Sequence, residues 1–217
     1  QQRALCAMST MPSLTAQQAI ELSALDSAGD LLERLASRSL FTDRREGEAS
    51  GDDASPRYVF HALFAAFLRR RAERVLTAPE QGALLRRAGE LLALDGQVDA
   101  ALQRFAQAHA WDDASRLLAR HAPHWFVGGR TAALRQHIDA LPLAQRDALA
   151  YWRGVSVLDT DPDASLADLE RAYAMAVAAG DALAALLAAS SAAVALVSCN
   201  RVVALDRWLD VLDQHHD

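Results

Sequence analysis

Residues 40–60 read LFTDRREGEASGDDASPRYVF, and everything before and after them takes its meaning from how this stretch folds. At one end Leu40-Phe41-Thr42 is short and apolar, and at the other Tyr58-Val59-Phe60 resumes β-branched and aromatic character. Between them Asp43–Arg57 is polar and holds Gly47, Gly51 and Pro56, residues that punctuate loops. Two short extended segments joined by a long polar loop predict a β-hairpin.

Helical patterns flank the hairpin on both sides. Arg3–Ser9 reads as the tail of a helix. Pro12 and Ser13 signal the start of a helix over Leu14–Leu25, and Ser27–Ser39 places Leu31, Leu32, Leu35 and Leu40 on one stripe at helical spacing. After Phe60 a further helix follows. Three helices, a hairpin and a helix are the outline of a winged-helix domain over residues 1–76, with Asp43–Arg57 as its wing.

From Thr77 onward the chain is a series of helix pairs. Pro79 opens a helix with Leu84, Leu85, Ala88, Leu91 and Leu92 at apolar positions, and Asp95-Gly96 closes it with a residue free to turn left-handed. The next helix carries Ala100, Ala101, Phe105 and Ala108, and Trp111-Asp112-Asp113-Ala114 starts another. Gly128-Gly129 breaks the chain before a helix over Thr131–Leu141 that Pro142 stops. Asp147–Leu158, Ser165–Ala179, Ala182–Val197 and Arg201–Leu212 complete the series.

Gly89, Gly96, Ala101, Phe105 and Ala108 stand at the spacing of a tetratricopeptide unit. Small residues at 89, 101 and 108 let paired helices approach, and Phe105 fills the groove between them. A looser set at Gly154, Leu169 and Ala172 is one residue out of register, which marks a degenerate repeat. Such pairs bury their apolar faces only against neighbours, so residues 77–217 are expected to form a TPR-like right-handed α-solenoid with a concave binding surface. The fold class predicted for the whole chain is therefore mainly all-α, a winged helix followed by helical repeats.

Composition narrows the function. Of 217 residues, 52% are hydrophobic and 23% charged, as in a globular chain. A net charge of −6 disfavours general nucleic-acid binding. The two cysteines, Cys6 and Cys199, are far apart and read as free thiols of a reducing cytoplasm. The chain begins Gln1-Gln2-Arg3 and shows no signal-peptide pattern, so it reads as a fragment of a larger protein. Ala182–Asn200 is uncharged, yet its Ala and Ser content suits a helix packed tightly between neighbours rather than one crossing a membrane.

Tyr58-Val59-Phe60-His61-Ala62-Leu63-Phe64, with Phe67-Leu68-Arg69 after it, resembles the aromatic-x-aromatic-His-x-Leu-Phe motif of the large ATP-dependent LuxR-type regulators, a group of maltose-regulon-activator-like proteins within the STAND signalling ATPases. Ala101-Leu102 through Ala108, Trp111-Asp112-Asp113-Ala114, Leu117-Leu118, Leu134-Arg135 and Leu141-Pro142 look like the helical segment that follows the winged helix in that family. The resemblance implies an upstream nucleotide-binding domain and a downstream effector, which would be this fragment's partners, with ATP or ADP bound by the full-length protein. The sequence holds no Gly-x-x-x-x-Gly-Lys-Ser/Thr loop, so no cofactor and no catalytic site are expected within it. The resemblance also singles out His61 as a contact to the β-phosphate of ADP in a closed, inactive state. The alternative is that His61 merely caps the following helix or sits in a polar pocket.

Other features have plainer readings. Arg69-Arg70-Arg71, Arg74 and Arg86-Arg87 spread around helices near Glu73, Glu80 and Glu90, which suits a solvated face or an inter-domain contact better than DNA. His121 with His124, and His215-His216 with Asp217, lack converging ligands for a metal. Ser190, Ser191 and Ser198 are expected to bond back to the preceding helical turn. Trp111, Trp125, Trp152 and Trp208 read as wedges between helix pairs, with Trp111, Trp125 and Trp152 the candidates for lining a groove that takes a protein or small-molecule inducer. A stand-alone TPR-like scaffold without nucleotide switching is the alternative function.

Overall fold

The computed structural model describes residues 1–46 and 55–214. Most of the wing, residues 47–54, and the terminal His215, His216 and Asp217 lie outside them. The chain divides into two compact units, Gln1–Ala110 and Trp111–Asp217. It is mostly helical, with one two-stranded hairpin in a winged-helix region and paired helices after it.

The first unit runs α1 (Gln2–Met8), α2 (Ala16–Ser23), α3 (Ala28–Ser37), β1 (Thr42–Arg45), β2 (Arg57–Phe60), α4 (Ala62–Val75), α5 (Ala78–Leu94) and α6 (Val98–Gln107). Local chemistry sets the helix starts. Thr15 forms a capping box with Gln18, and Thr77 forms one with Glu80 ahead of Pro79. The start of α2 thus lies at Thr15, later than Pro12-Ser13 suggests. Leu14 is drawn instead into a bridge with Tyr58, exchanging both backbone hydrogen bonds at 3.1 and 2.8 Å. The core gathers Cys6, Met8, Leu14, Leu32 and Leu92, each almost wholly buried.

The hairpin is antiparallel, pairing Thr42 with Phe60 and Arg45 with Arg57. Its first strand sits further along the chain than the apolar residues indicate, and its second begins one residue earlier. Phe41 adopts a left-handed φ of 54° and turns the chain, so Leu40-Phe41 precede the strand. Asp43, Arg44 and Arg45, read as wing, belong to β1. The reason is burial: β1 is exposed beyond Thr42, so nothing selects apolar residues there, whereas β2 alternates half-buried and buried positions. Arg57, also read as wing, starts β2 and reaches Asp95 at the end of α5, with contacts of 2.5 and 2.6 Å to the two carboxylate oxygens.

The pair α5–α6 belongs to the first unit. Gly96, at φ 74°, makes the turn between them. At Gly89 a Cβ would stand 2.6 Å from Cε1 of Phe105, far inside contact distance, so the ring occupies the place of the missing side chain.

In the second unit α7 (Trp111–Val127), α8 (Thr131–Asp139), α9 (Leu143–Asp147), α10 (Ala150–Val157), α11 (Pro162–Ala179), α12 (Ala182–Ser198) and α13 (Asp206–Gln214) follow, with a 3-10 turn at Val202–Ala204. The expected helix over Asp147–Leu158 is broken: α9 ends at Asp147, and α10 begins only at Ala150, after the buried Leu149. Packing proceeds from neighbour to neighbour, α8 on α7, α10 on α8, α11 on α10, α12 on α11 and α13 on α12. Gly154 of α10 repeats the Gly89 arrangement, since a Cβ there would lie 2.9 Å from Cγ of Leu169 on α11. Among the described residues no helix is long and apolar enough to cross a membrane. One face of α12 packs through Ala185, Ala188, Ala189, Ala192 and Ala195, while Leu183, Leu187, Val194 and Val197 on another face are exposed.

One ion network ties this unit together. Arg153 of α10 donates to Asp139 at the end of α8 at 2.7 Å, and its Nη1 also donates to the buried Asp168 of α11. Removing one partner of a buried pair leaves the other charge unpaired. Arg153→Met is therefore expected to cost about 2–3 kcal/mol, below the handful typical of full burial because the arginine is partly solvated. Asp168→Asn in the same background should then add little. Urea unfolding of the two single variants and the double variant checks this, and strictly additive losses would show that the pair is not coupled.

Candidate functional site

The site is built where β2 passes into α4. His61 takes the N-cap position of α4, and its side chain makes no capping bond. Its backbone N–H donates to the carbonyl of Phe41 at 2.9 Å, which fastens the helix start to the residue before β1. The imidazole Nε2 lies 3.1 Å from Oδ1 of Asp43. An ionised carboxylate only accepts, so Nε2 is the donor in this pair. The pair is open to solvent, with about half of each side chain exposed. His61 therefore neither caps the helix through its ring nor sits in a closed pocket.

Aromatic rings frame the imidazole. Phe41 meets it edge to face at 6.3 Å, Phe64 lies 5.7 Å from Phe41, and Phe60 meets Phe64 at 5.6 Å. Phe60 is buried and anchors the group, whereas Phe41 (59%), Leu63 (87%) and Phe67 (60%) are exposed. Leu63 and Phe67 are four residues apart and so share one face of α4. The result is a group of aromatic rings around one imidazole and one carboxylate, with exposed apolar side chains at Leu63 and Phe67 on the helix that follows. The first backbone N–H groups of α4 add the donor character of a helix start, which suits an anion.

This arrangement belongs to a domain with known relatives. Residues 1–81 match the family model of the MalT winged helix domain. No curated protein matches the chain. The first compact unit continues past the MalT-type region to Ala110, so it also contains the α5–α6 pair. Within the MalT-type winged helix, α3 buries Leu31 and Leu32 in the core.

The remaining sites fall in several places. Trp125 is 3% exposed, with Arg130 stacked over its ring at 4.3 Å and His137 beside it. Trp152 is half-buried between Phe126 and Tyr151, and Trp111 is half-buried at the start of α7. The arginines divide: Arg87 is held by Glu21 and Glu90, and Glu80 is taken by Arg3. Helix α7 runs on through Pro123, carrying His121 and His124, and among the described residues no three metal-ligating side chains gather. The hydroxyls of Ser190 and Ser198 donate to the carbonyls of Leu187 and Val194, one turn back.

Asp43 is the residue that reading the sequence missed. It lies 18 positions from His61 in a tract that looks like loop, and only the register of the hairpin brings the two together.

Proposed function

We propose that the chain is the regulatory part of a cytoplasmic signal-transduction ATPase-type transcriptional regulator, relaying nucleotide or inducer state through contacts between domains. The observation that supports this best is the exposure of Phe41, which packs on His61, and of Leu63 and Phe67 in the first turns of α4, in a domain that matches the MalT winged helix. Exposed apolar side chains gathered at one place mark an interaction surface. A nucleotide-binding domain docked there would bury these side chains and bring its ADP to the imidazole and the start of α4. The chemistry fits a phosphate: both groups donate hydrogen bonds to anionic oxygen. Asp43 competes for Nε2, so the phosphate contact requires the imidazole to give up the carboxylate. That exchange supplies the differential interaction a two-state relay needs. The paired helices of the second unit would receive the inducer or partner protein.

The test uses a form of the protein that carries its nucleotide-binding domain. ADP should bind it, and His61→Ala should weaken ADP about tenfold, the loss of one hydrogen bond to a charged group. Unchanged ADP affinity in the variant would remove His61 from the switch. Failure of the extended protein to bind any nucleotide would leave the second reading, a TPR-like interaction scaffold, for which the recurring Gly89–Phe105 and Gly154–Leu169 interlocks speak.

A further inference from the structure

A second feature of the first unit lies apart from His61. Helices α1, α4, α5 and α6 line a cleft of about 260 Å³ that is open to solvent on the side of the exposed Arg69 and Glu73. Leu76, Leu84, Leu85 and Ala72 supply an apolar wall, while Arg69 and Arg104 bring two guanidinium groups and Glu73 one carboxylate. Arg104 is fixed in place: its Nε donates to the carbonyl of Thr10 at 2.5 Å and its Nη1 to Gln107 at 3.0 Å. Burial first, and the charge of Arg69 second, push Arg104 below the ordinary guanidinium value. No carboxylate among the described residues forms an ion pair with either arginine.

We propose that this cleft binds a small organic monocarboxylate with a compact apolar body. Two arginines against one glutamate leave one positive charge on the lining, which a single carboxylate neutralises. A planar guanidinium fork matches a planar carboxylate through paired hydrogen bonds. Glu73 weighs against a doubly charged phosphomonoester, because it adds like-charge repulsion on the cleft wall. The leucine wall takes the apolar body. At the ~30 Å³ that one molecule occupies in liquid water, the volume holds about nine non-hydrogen atoms, the size of benzoate. The site is a ligand site of the winged-helix unit, independent of whether that unit docks on a nucleotide domain.

Benzoate, the neutral isostere benzamide and phenyl phosphate, titrated into the whole chain by calorimetry, test this. Benzoate should saturate at one site, with benzamide and phenyl phosphate weaker, and amide shifts should map to α1, α4, α5 and α6. Arg69→Gln, an exposed position where folding is not at stake, should weaken benzoate by about tenfold or more. Leu84→Phe should weaken it by filling the cleft. Benzoate that never saturates, benzamide or phenyl phosphate binding as well as benzoate, or an Arg69→Gln protein with unchanged affinity would each overturn the assignment.

Discussion

Gly89→Val is expected to lower the stability of the first unit by about 3 kcal/mol, the upper part of the range for overpacking a close-packed contact. A Cβ at this position would stand 2.6 and 2.7 Å from two ring atoms of Phe105, and Phe105 is itself buried, so the ring has nowhere to retreat. Valine also loses rotamer freedom in a helix, which adds to the cost. Alanine at the same position brings the close contact, offset by about 1 kcal/mol of improved helix propensity, so it should do less harm. Two comparisons isolate the cause. Gly82, in the same helix α5, has nothing within 4 Å of where a Cβ would stand, and Gly82→Ala should stabilise by roughly 0.5–1 kcal/mol. Shrinking the ring, as Gly89→Val with Phe105→Leu, should recover part of the loss. Urea midpoints of these variants decide the matter. A Gly89→Val protein as stable as the parent would mean that α5 and α6 do not interlock as described.

Trp208→Ala is expected to cost about 3–5 kcal/mol in the second unit. Trp208 is 1% exposed and packs with Leu166, Leu169, Ala189, Ala192 and Leu196, with Tyr173 edge-on at 5.1 Å. It is the large buried side chain that α13 contributes to this cluster. Its loss should therefore release α13 before the rest of the unit unfolds, because this helix packs on α12 and, through Trp208, on α11 at the end of the series. Hydrogen exchange would show amides of α13 losing protection while α7 and α8 keep theirs. A loss under about 1 kcal/mol, with α13 still protected, would show that the turn at Val202–Ala204 and the remaining contacts hold this helix by themselves.

Both experiments probe features the sequence announces in different degrees. The Gly89–Phe105 interlock was legible because a tetratricopeptide-like spacing puts a missing side chain and a large one at fixed positions on adjoining helices. Gly154 and Leu169 were legible for the same reason, despite the one-residue shift. Trp208 was legible only as a wedge, because a tryptophan announces burial but not which helices it joins. The break at Ala148-Leu149 escaped notice since neither residue punctuates a helix.

At the functional site the division is sharper. His61 and the aromatic residues around it stand in one short run, and the resemblance to LuxR-type regulators could be read from that run alone. Their exposure could not, because Phe60 and Phe64 turn inward or sideways while Leu63 and Phe67 turn out, and that depends on what α4 packs against.

Legible in the order of amino acids are the succession of helices, the opening of α5 at Pro79, the turn at Gly96 and the interlocking of helix pairs. These are signals carried within one or two helical turns, or at a fixed repeat spacing, and they act before the rest of the chain is in place. Long-range packing sets the reach of β1, the bridge of Leu14 to Tyr58, the pairing of Asp43 with His61 and of Arg57 with Asp95, and the meeting of Arg69 with Arg104 at one cleft. Each of these joins residues far apart along the chain, where neither periodicity nor propensity constrains the partner and packing alone selects it.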